Sequence, residues 1–476
     1  MNLPKNFFII FLIFSHLSWA NNLPDLGEFS DQFISPYQEK MIAREILYQV
    51  HSSPEVVQDE EINDYLNYLG DKLVSNSDAP QKDFTFFVLK DDAINAFAML
   101  GGLIGVHTGL FISADNESEI ASVLGHEIAH VTQKHLQRVI AKQDRDKYKS
   151  IFLLALGLLA ARSNPQAAAG AMMASQAMNI QNFLDYTREH EQEADRIGID
   201  ILYKSGYNVG SAVDFFNTLQ KGSRYSSSAP SYLRTHPITS DRISDISDRL
   251  KDYPYRYTNN SNYFHFIRGK VRALYSNENN IKTFEKNIKN KTYVNLEGEQ
   301  YALALAYLKD KKINDAEKIY SNLLKEKNPL IDNLKIDILL QKNEFAEAKQ
   351  ELEKLLIKQP FYRAFVYRLA EVNLSLGNYS EVKEMIEQYI FKYRSDPNLY
   401  KFLAKAFKGL NKDIEYHENM GEYFYYQYNL KDAIVQFGIA KNIRSNDFYA
   451  KSRVESRLKQ LQAEQIMLEE GRKNKK

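Results

Sequence analysis

The 476-residue sequence predicts a mainly α protein in two parts: a helical domain with a small β-sheet, then an α-solenoid of tetratricopeptide repeats. Three observations point there. Apolar residues recur every three or four positions over most of the chain, the period of a half-buried helix. Residues 84–112 break that rhythm, being rich in Phe, Val and Ile and interrupted by Gly101-Gly102, as short strands are. Further on, Pro329, Pro360 and Pro397 lie 31 and 37 residues apart, averaging 34, the period of a helical-hairpin repeat.

Composition excludes several function classes. Lys+Arg and Asp+Glu number 61 each, so the basic excess of a nucleic-acid binder is missing and no nucleic-acid partner is expected. The chain has no cysteine. Disulfides, thiol nucleophiles and thiolate metal sites are therefore ruled out, and any metal must be held by His and carboxylates.

The elements follow in order. Met1 to Ala20 has a basic start at Lys5, an apolar run from Phe7 to Phe14, and small residues at Ser18 and Ala20. That is a secretory signal with cleavage after Ala20, and the expected location is the periplasm. Phe33 to Asn76 reads as helical. Phe84 to Leu89 is strand-like, and Ala93 to Ile112 predicts two short strands around Gly101-Gly102. Asp115 or Asn116 can cap a helix from Glu117, with Glu119 where a capping box wants its acid; the helix is expected to run through His135 and beyond.

Ile151 to Ala161 is the most apolar stretch of the mature chain but too short to span a bilayer. With the Ala- and Met-rich residues up to Ile180 it reads either as a buried helical hairpin or as a lid that leans on a membrane surface. A Ser/Gly/Tyr-rich loop, Gly222 to Arg234, precedes His236-Pro237. Tyr253 to Ser261 reads as a linker, so the first domain covers 21–256. The repeats cover 257–468, with a capping helix from Lys451 and a charged tail at 469–476. Small residues let their paired helices approach, and Pro is expected to close each unit.

The chemistry centres on His126-Glu127-Ile128-Ala129-His130. Four residues turn a helix by about 400°, so the two imidazoles leave one face a turn apart and can share one metal ion. Glu127 sits beside them as a candidate general base. A catalytic zinc usually keeps three protein ligands, and Glu189, Glu191 and Glu193 compete to be the third. Helical phase separates them. Glu191 shares a face with Ala194, Asp195, Gly198 and Leu202, which points inward, whereas Glu193 aligns with Glu189, Arg196 and Asp200. Glu191 is therefore the expected ligand, and Asp195, one turn on, is placed to hold the free nitrogen of a ligand His. His135 and His190 are expected on the surface.

The export signal, HEIAH, EQEAD at 191–195, THPITSDR at 235–242 and the repeat array together resemble the CAAX-prenyl-protease-like zinc metallopeptidases, a gluzincin group. The resemblance covers essentially the whole mature chain, with specific motifs between 90 and 245 and generic ones in the repeats. It implies a helical gluzincin metallopeptidase domain binding one zinc ion. His126, His130 and Glu191 match the ligands, Glu127 the catalytic base and Asp195 the catalytic or orienting acid. His236 and Arg242 match a His-Pro…Arg motif, with Arg242 expected at the oxyanion or substrate carbonyl and His236 close to the metal. Asn95-Ala96-Phe97 resembles the edge strand that lines the cleft. Leu100 stands where Pro is expected before Gly-Gly, which leaves the local strand bend open.

The expected activity is a periplasmic zinc endopeptidase acting on polypeptides. By the resemblance, its clients are outer-membrane β-barrel proteins, and its repeats dock on the β-barrel assembly machinery. The rival reading is a non-proteolytic chaperone or assembly scaffold with a vestigial site. The intact His-Glu-x-x-His favours retained chemistry, because a scaffold has no use for Glu127.

Overall fold

The structure is a computed structural model that describes residues 35–80, 83–141, 188–225, 231–254, 262–276 and 280–473. The signal at 1–20, the apolar segment 151–180 and the linker residues 255–261 lie outside the described residues. No described helix is long and apolar enough to cross a membrane.

Helix α1 (Pro36–Ser52) opens with a capping box in which Ser35 and Gln38 each bond the other's backbone N–H. Helix α2 (Glu60–Val74) is capped by Asp59, which accepts from the N–H groups of Glu61 and Ile62. Then come three strands: β1 (Thr85–Leu89), β2 (Ala96–Met99) and β3 (Leu103–His107). Their order is β1-β3-β2, with β1 parallel and β2 antiparallel to β3. Gly101 and Gly102, at φ 79 and 76, make the left-handed turn between β2 and β3. Strand β2 is left at the edge of the sheet.

The strand expected to reach Ile112 stops at His107, and Thr108–Ser113 forms α3. Thr108 is the reason. Its buried hydroxyl accepts from the Asp91 N–H and donates to the Asp91 carbonyl, which ends the ladder. Helix α4 (Glu117–Thr132) is capped by Asn116, and the Glu119 carboxylate reaches back to the N–H of Asp115. It does not continue through His135. Lys134 turns left-handed at φ 53, a common way for a helix to end, and a new helix α5 (His135–Ala141) starts at a different angle.

Helix α6 (Arg188–Lys204) crosses α4 where two glycines meet. A Cβ added to Gly198 would lie 3.0 Å from the His126 backbone nitrogen, and one on Gly125 would lie 3.1 Å from the Gly198 carbonyl oxygen. Only glycine on both sides allows this approach. It is what carries the carboxylates of α6 to the histidines of α4. Helices α7 (Ser211–Tyr225), α8 (Ser231–Thr235) and α9 (Ser240–Arg249) complete the first domain.

The repeats run from α10 (Asn262–Tyr275) and α11 (Ile281–Asn290) through α12 (Leu296–Lys309) and α13 (Ile313–Leu323). They continue as α14 (Pro329–Gln341), α15 (Phe345–Lys358), α16 (Arg363–Ser375), α17 (Tyr379–Lys392), α18 (Pro397–Gly409), α19 (Asp413–Tyr426) and α20 (Leu430–Asn442). A long helix, α21 (Phe448–Lys473), ends the array. Ala316, Ala348, Ala370, Ala433 and Ala440 are fully buried where successive helices pack. Pro329 and Pro397 open helices instead of closing them: each sits at the first turn, where a missing N–H costs nothing.

The hydrophobic core does not stop near residue 256. One cluster runs from Ile62, Leu66 and Leu124 through Phe264, Phe266 and Val271 to Leu330 and Leu334. At its polar centre Glu61 of α2, 2% exposed, is bonded by Lys270 of α10, Asn333 of α14 and Tyr362 of α16. The far end of the array returns to α1, where Arg44 pairs with Glu464 and His51 stacks on Tyr428. The repeats thus hold the first domain at two places.

Candidate metal centre

His126 and His130 leave the buried face of α4 with their Nε2 atoms 3.0 Å apart. Glu191 reaches in from α6, with its carboxylate oxygens 3.4 Å from each of those nitrogens. His236, which follows α8, adds Nδ1 at 3.1 Å from Glu191 and 3.4 Å from His126 Nε2. All four donor atoms lie within 4.8 Å of one another and all four residues are buried. A tetrahedral ion with bonds of about 2.0–2.1 Å sets its donors about 3.3 Å apart. The separations here match those edges.

The far side of each ligand is also tied. Asp195 Oδ1 lies 3.0 Å from His126 Nδ1. Arg242 grips Asp195 from behind, Nε to Oδ2 and Nη2 to Oδ1, both at 2.7 Å, and its Nη1 lies 2.7 Å from Glu191 and 2.8 Å from the Pro237 carbonyl. The guanidinium is therefore spent on two carboxylates and a backbone oxygen, and it is 3% exposed. The oxyanion role expected of Arg242 does not fit this placement. Its capped position at the start of α9, with Thr239 accepting its N–H, turns it toward α6 and away from the cleft.

Burial drives the electrostatics, and neighbours then sort the groups. It pushes His130 down to about 3, which favours the neutral ring that a metal needs. It would lower His126 too, but Asp195 and Glu191 outweigh it and push that ring up to about 10. Burial would raise Glu191; the three histidines around it win and hold it well below the usual carboxylate range. Such a cluster of carboxylates and imidazoles is built to share one positive charge.

Glu127 is different. Burial raises its carboxyl, both oxygens lack a hydrogen-bond partner among the described residues, and the nearest ring atom is His236 Nε2 at 3.4 Å. A buried carboxylate left unsatisfied in this way is fitted to a water, and two tied imidazoles with a carboxylate are the donor set of a divalent zinc-like ion. The residues fit the ion.

Strand β2 passes beside this centre. Its backbone N–H at Ala98 favours the charged form of Glu127. Ala96 is fully buried and Ala98 packs on the main core, and these small side chains let the strand lie close to α4. Phe97 points the other way, edge-on to Phe87 and His107, so it offers the cleft only its backbone. Asn95 precedes the strand, and its Oδ1 is buried without a partner among the described residues.

Two expectations about histidines are overturned. His135 is not on the surface: it is fully buried, with Nδ1 2.8 Å from His130 Nδ1 and Nε2 3.1 Å from Glu193. Burial, then His130, lower it to about 3. The left-handed Lys134 explains the error, since a continuous helix would have carried the ring elsewhere. His190 is buried as well, stacked on His135 at 4.5 Å and 15°. Tyr232 was missed altogether. It is 1% exposed, stacks on His236 at 4.7 Å, and its N–H bonds the Ile94 carbonyl beside β2. A signal did exist: half of the ten histidines in the chain converge here.

Comparison with known proteins gives the same picture. The model for peptidase family M48 matches residues 60–250, and a tetratricopeptide repeat model matches 339–406. A relative from Vibrio cholerae is 32% identical over 444 residues, 92% of each chain. The beta-barrel assembly-enhancing protease of Escherichia coli K12 is 32% identical over 82% of this chain and 81% of its own. That of Yersinia pestis is 31% identical over 81% and 80%.

Proposed function

The chain belongs to peptidase family M48, and from that premise we propose that this metalloendopeptidase holds zinc and works in the periplasm on outer-membrane β-barrel proteins that fail to assemble. The carrying observation is the buried set of four donors at tetrahedral spacing beside a carboxylate with no partner among the described residues. The names of the relatives support the choice of client, and the signal-like start of the sequence supports export.

His126, His130 and Glu191 would hold the ion. When bound, it supplies a Lewis acid that polarises a peptide carbonyl and acidifies water. Glu127 accepts the proton of the attacking water and passes it to the leaving amine. Asp195 orients His126, and Arg242 holds Asp195 and Glu191 in place while balancing their charge. An extended peptide pairs with the free edge of β2, which brings its backbone past Glu127 with little demand on sequence. His236, already within the donor set, is the fourth ligand of a resting state and withdraws when a client enters. The repeat array supplies a surface for the assembly machinery or an unfinished barrel.

The test is direct. Purified mature protein should carry one equivalent of zinc and cleave casein, and Glu127→Gln should keep the zinc while losing cleavage. Full cleavage by that variant would remove Glu127 as the base.

A further inference from the structure

Behind the metal-facing edge of His130 runs a chain of contacts that the catalytic scheme does not use. His130 Nδ1 meets His135 Nδ1 at 2.8 Å, His135 Nε2 meets Glu193 Oε2 at 3.1 Å, and Arg138 Nη1 meets the same oxygen at 3.1 Å. His190 lies flat against the His135 ring.

Donor and acceptor arithmetic leaves one neutral arrangement. A carboxylate only accepts, so His135 must present N–H at Nε2 to Glu193. A neutral imidazole carries one proton, so His135 Nδ1 is then a lone pair. The 2.8 Å contact needs a proton between the two rings, and it must belong to His130 Nδ1. That leaves the lone pair of His130 on Nε2, the atom that faces His126 and Glu191. The opposite arrangement would set a lone pair against the Glu193 carboxylate and a proton toward the ion.

We infer that His135 is a positioning residue for the metal: it accepts the Nδ1 proton of His130, fixes that ring's tautomer and plane, and takes its own orientation from Glu193 and the stacked His190. Carboxylates and backbone carbonyls are the usual partners of a ligand histidine. Here a second histidine occupies that position, and Glu193, on the half-exposed outer face, sets its proton from a distance. The inference rests on the zinc reading above and deepens it.

The experiment measures zinc affinity of the untagged, full-length protein by competition with a chromogenic chelator, alongside melting of the zinc-free form. His135→Phe keeps the ring and the stack but removes the acceptor, and zinc affinity should fall about 10–100-fold. His135→Asn offers an amide oxygen to His130 and an amide N–H to Glu193, so it should recover most of that loss. Glu193→Leu, at the outer end, should weaken binding in the same direction by less. Equal affinity in His135→Phe and wild type overturns the inference, as does equal loss in the Phe and Asn variants, which would mean packing alone. If His135→Phe does not fold, the Asn and Glu193→Leu results decide: wild-type affinity in Glu193→Leu removes the remote selection of the tautomer. A wild type that binds no zinc overturns the metal reading itself, a separate outcome from any of these.

Discussion

Arg242 closes on Asp195 through two parallel bonds of 2.7 Å, and Asp195 in turn stands 3.0 Å from the ring of His126. The three residues come from α9, α6 and α4, so one guanidinium pins three helices at the site. Paired bonds of this kind depend on the planar fork of Arg, which a point charge cannot reproduce.

Arg242→Ala should therefore destabilise the metal-free protein by roughly 3–5 kcal/mol, the cost of leaving buried carboxylates without their partner. Arg242→Lys should recover only part of it. Urea denaturation of the full chain measures both, and a loss below about 1 kcal/mol in the Ala variant would show that the pairing is not holding the helices.

The two glutamates of EQEAD should separate cleanly. Glu191→Gln should lose zinc on dialysis, because the carboxylate within 3.4 Å of both imidazoles becomes neutral. Glu193→Gln should keep it, since an amide oxygen there still accepts from His135. Metal analysis reads the difference, and equal loss in the two would mean that helical phase picked the wrong face.

How far the sequence reached depends on whether a rule of regular geometry applied. Glu191 could be told from Glu193 because α6 is an unbroken helix, in which phase is arithmetic. The β2–β3 turn was legible because two adjacent glycines announce it. His135 was not legible, because its position hangs on the backbone of Lys134, and nothing in Thr132-Gln133-Lys134 marks a left-handed residue. Arg242 was found, but its role was misjudged. The motif gives its distance from His236 along the chain, and only the direction of α9 reveals that it faces α6. The seam between the two parts was also hidden, since an exposed linker says nothing about whether cores on either side merge.

His236→Ala should raise basal cleavage of an unfolded substrate if the ring occupies the fourth position at rest. Its Nδ1 is aimed at the ligand set and its Nε2 at Glu127. Initial rates at saturating zinc provide the measurement. A fall in rate would assign His236 to substrate contact instead.

Lys270→Met should strip the partner from buried Glu61 and destabilise the whole chain by roughly 3–5 kcal/mol, although Lys270 lies outside the peptidase segment. The double variant with Glu61→Leu should recover much of that loss, since neither charge then remains. Thermal melts should show one transition for both parts, because they share one core. Two separated transitions would contradict that sharing.

The open edge of β2 has a consequence for which molecules the enzyme can notice. A strand edge recognises only another strand whose backbone is still unpaired, whatever its side chains. A closed barrel has no such strand left. Under the proposed function, the cleft needs no list of clients and no signal marking failure. Each protein stops being a substrate at the moment its last seam zips shut, and the time an unsealed strand stays in reach sets its risk of being cut.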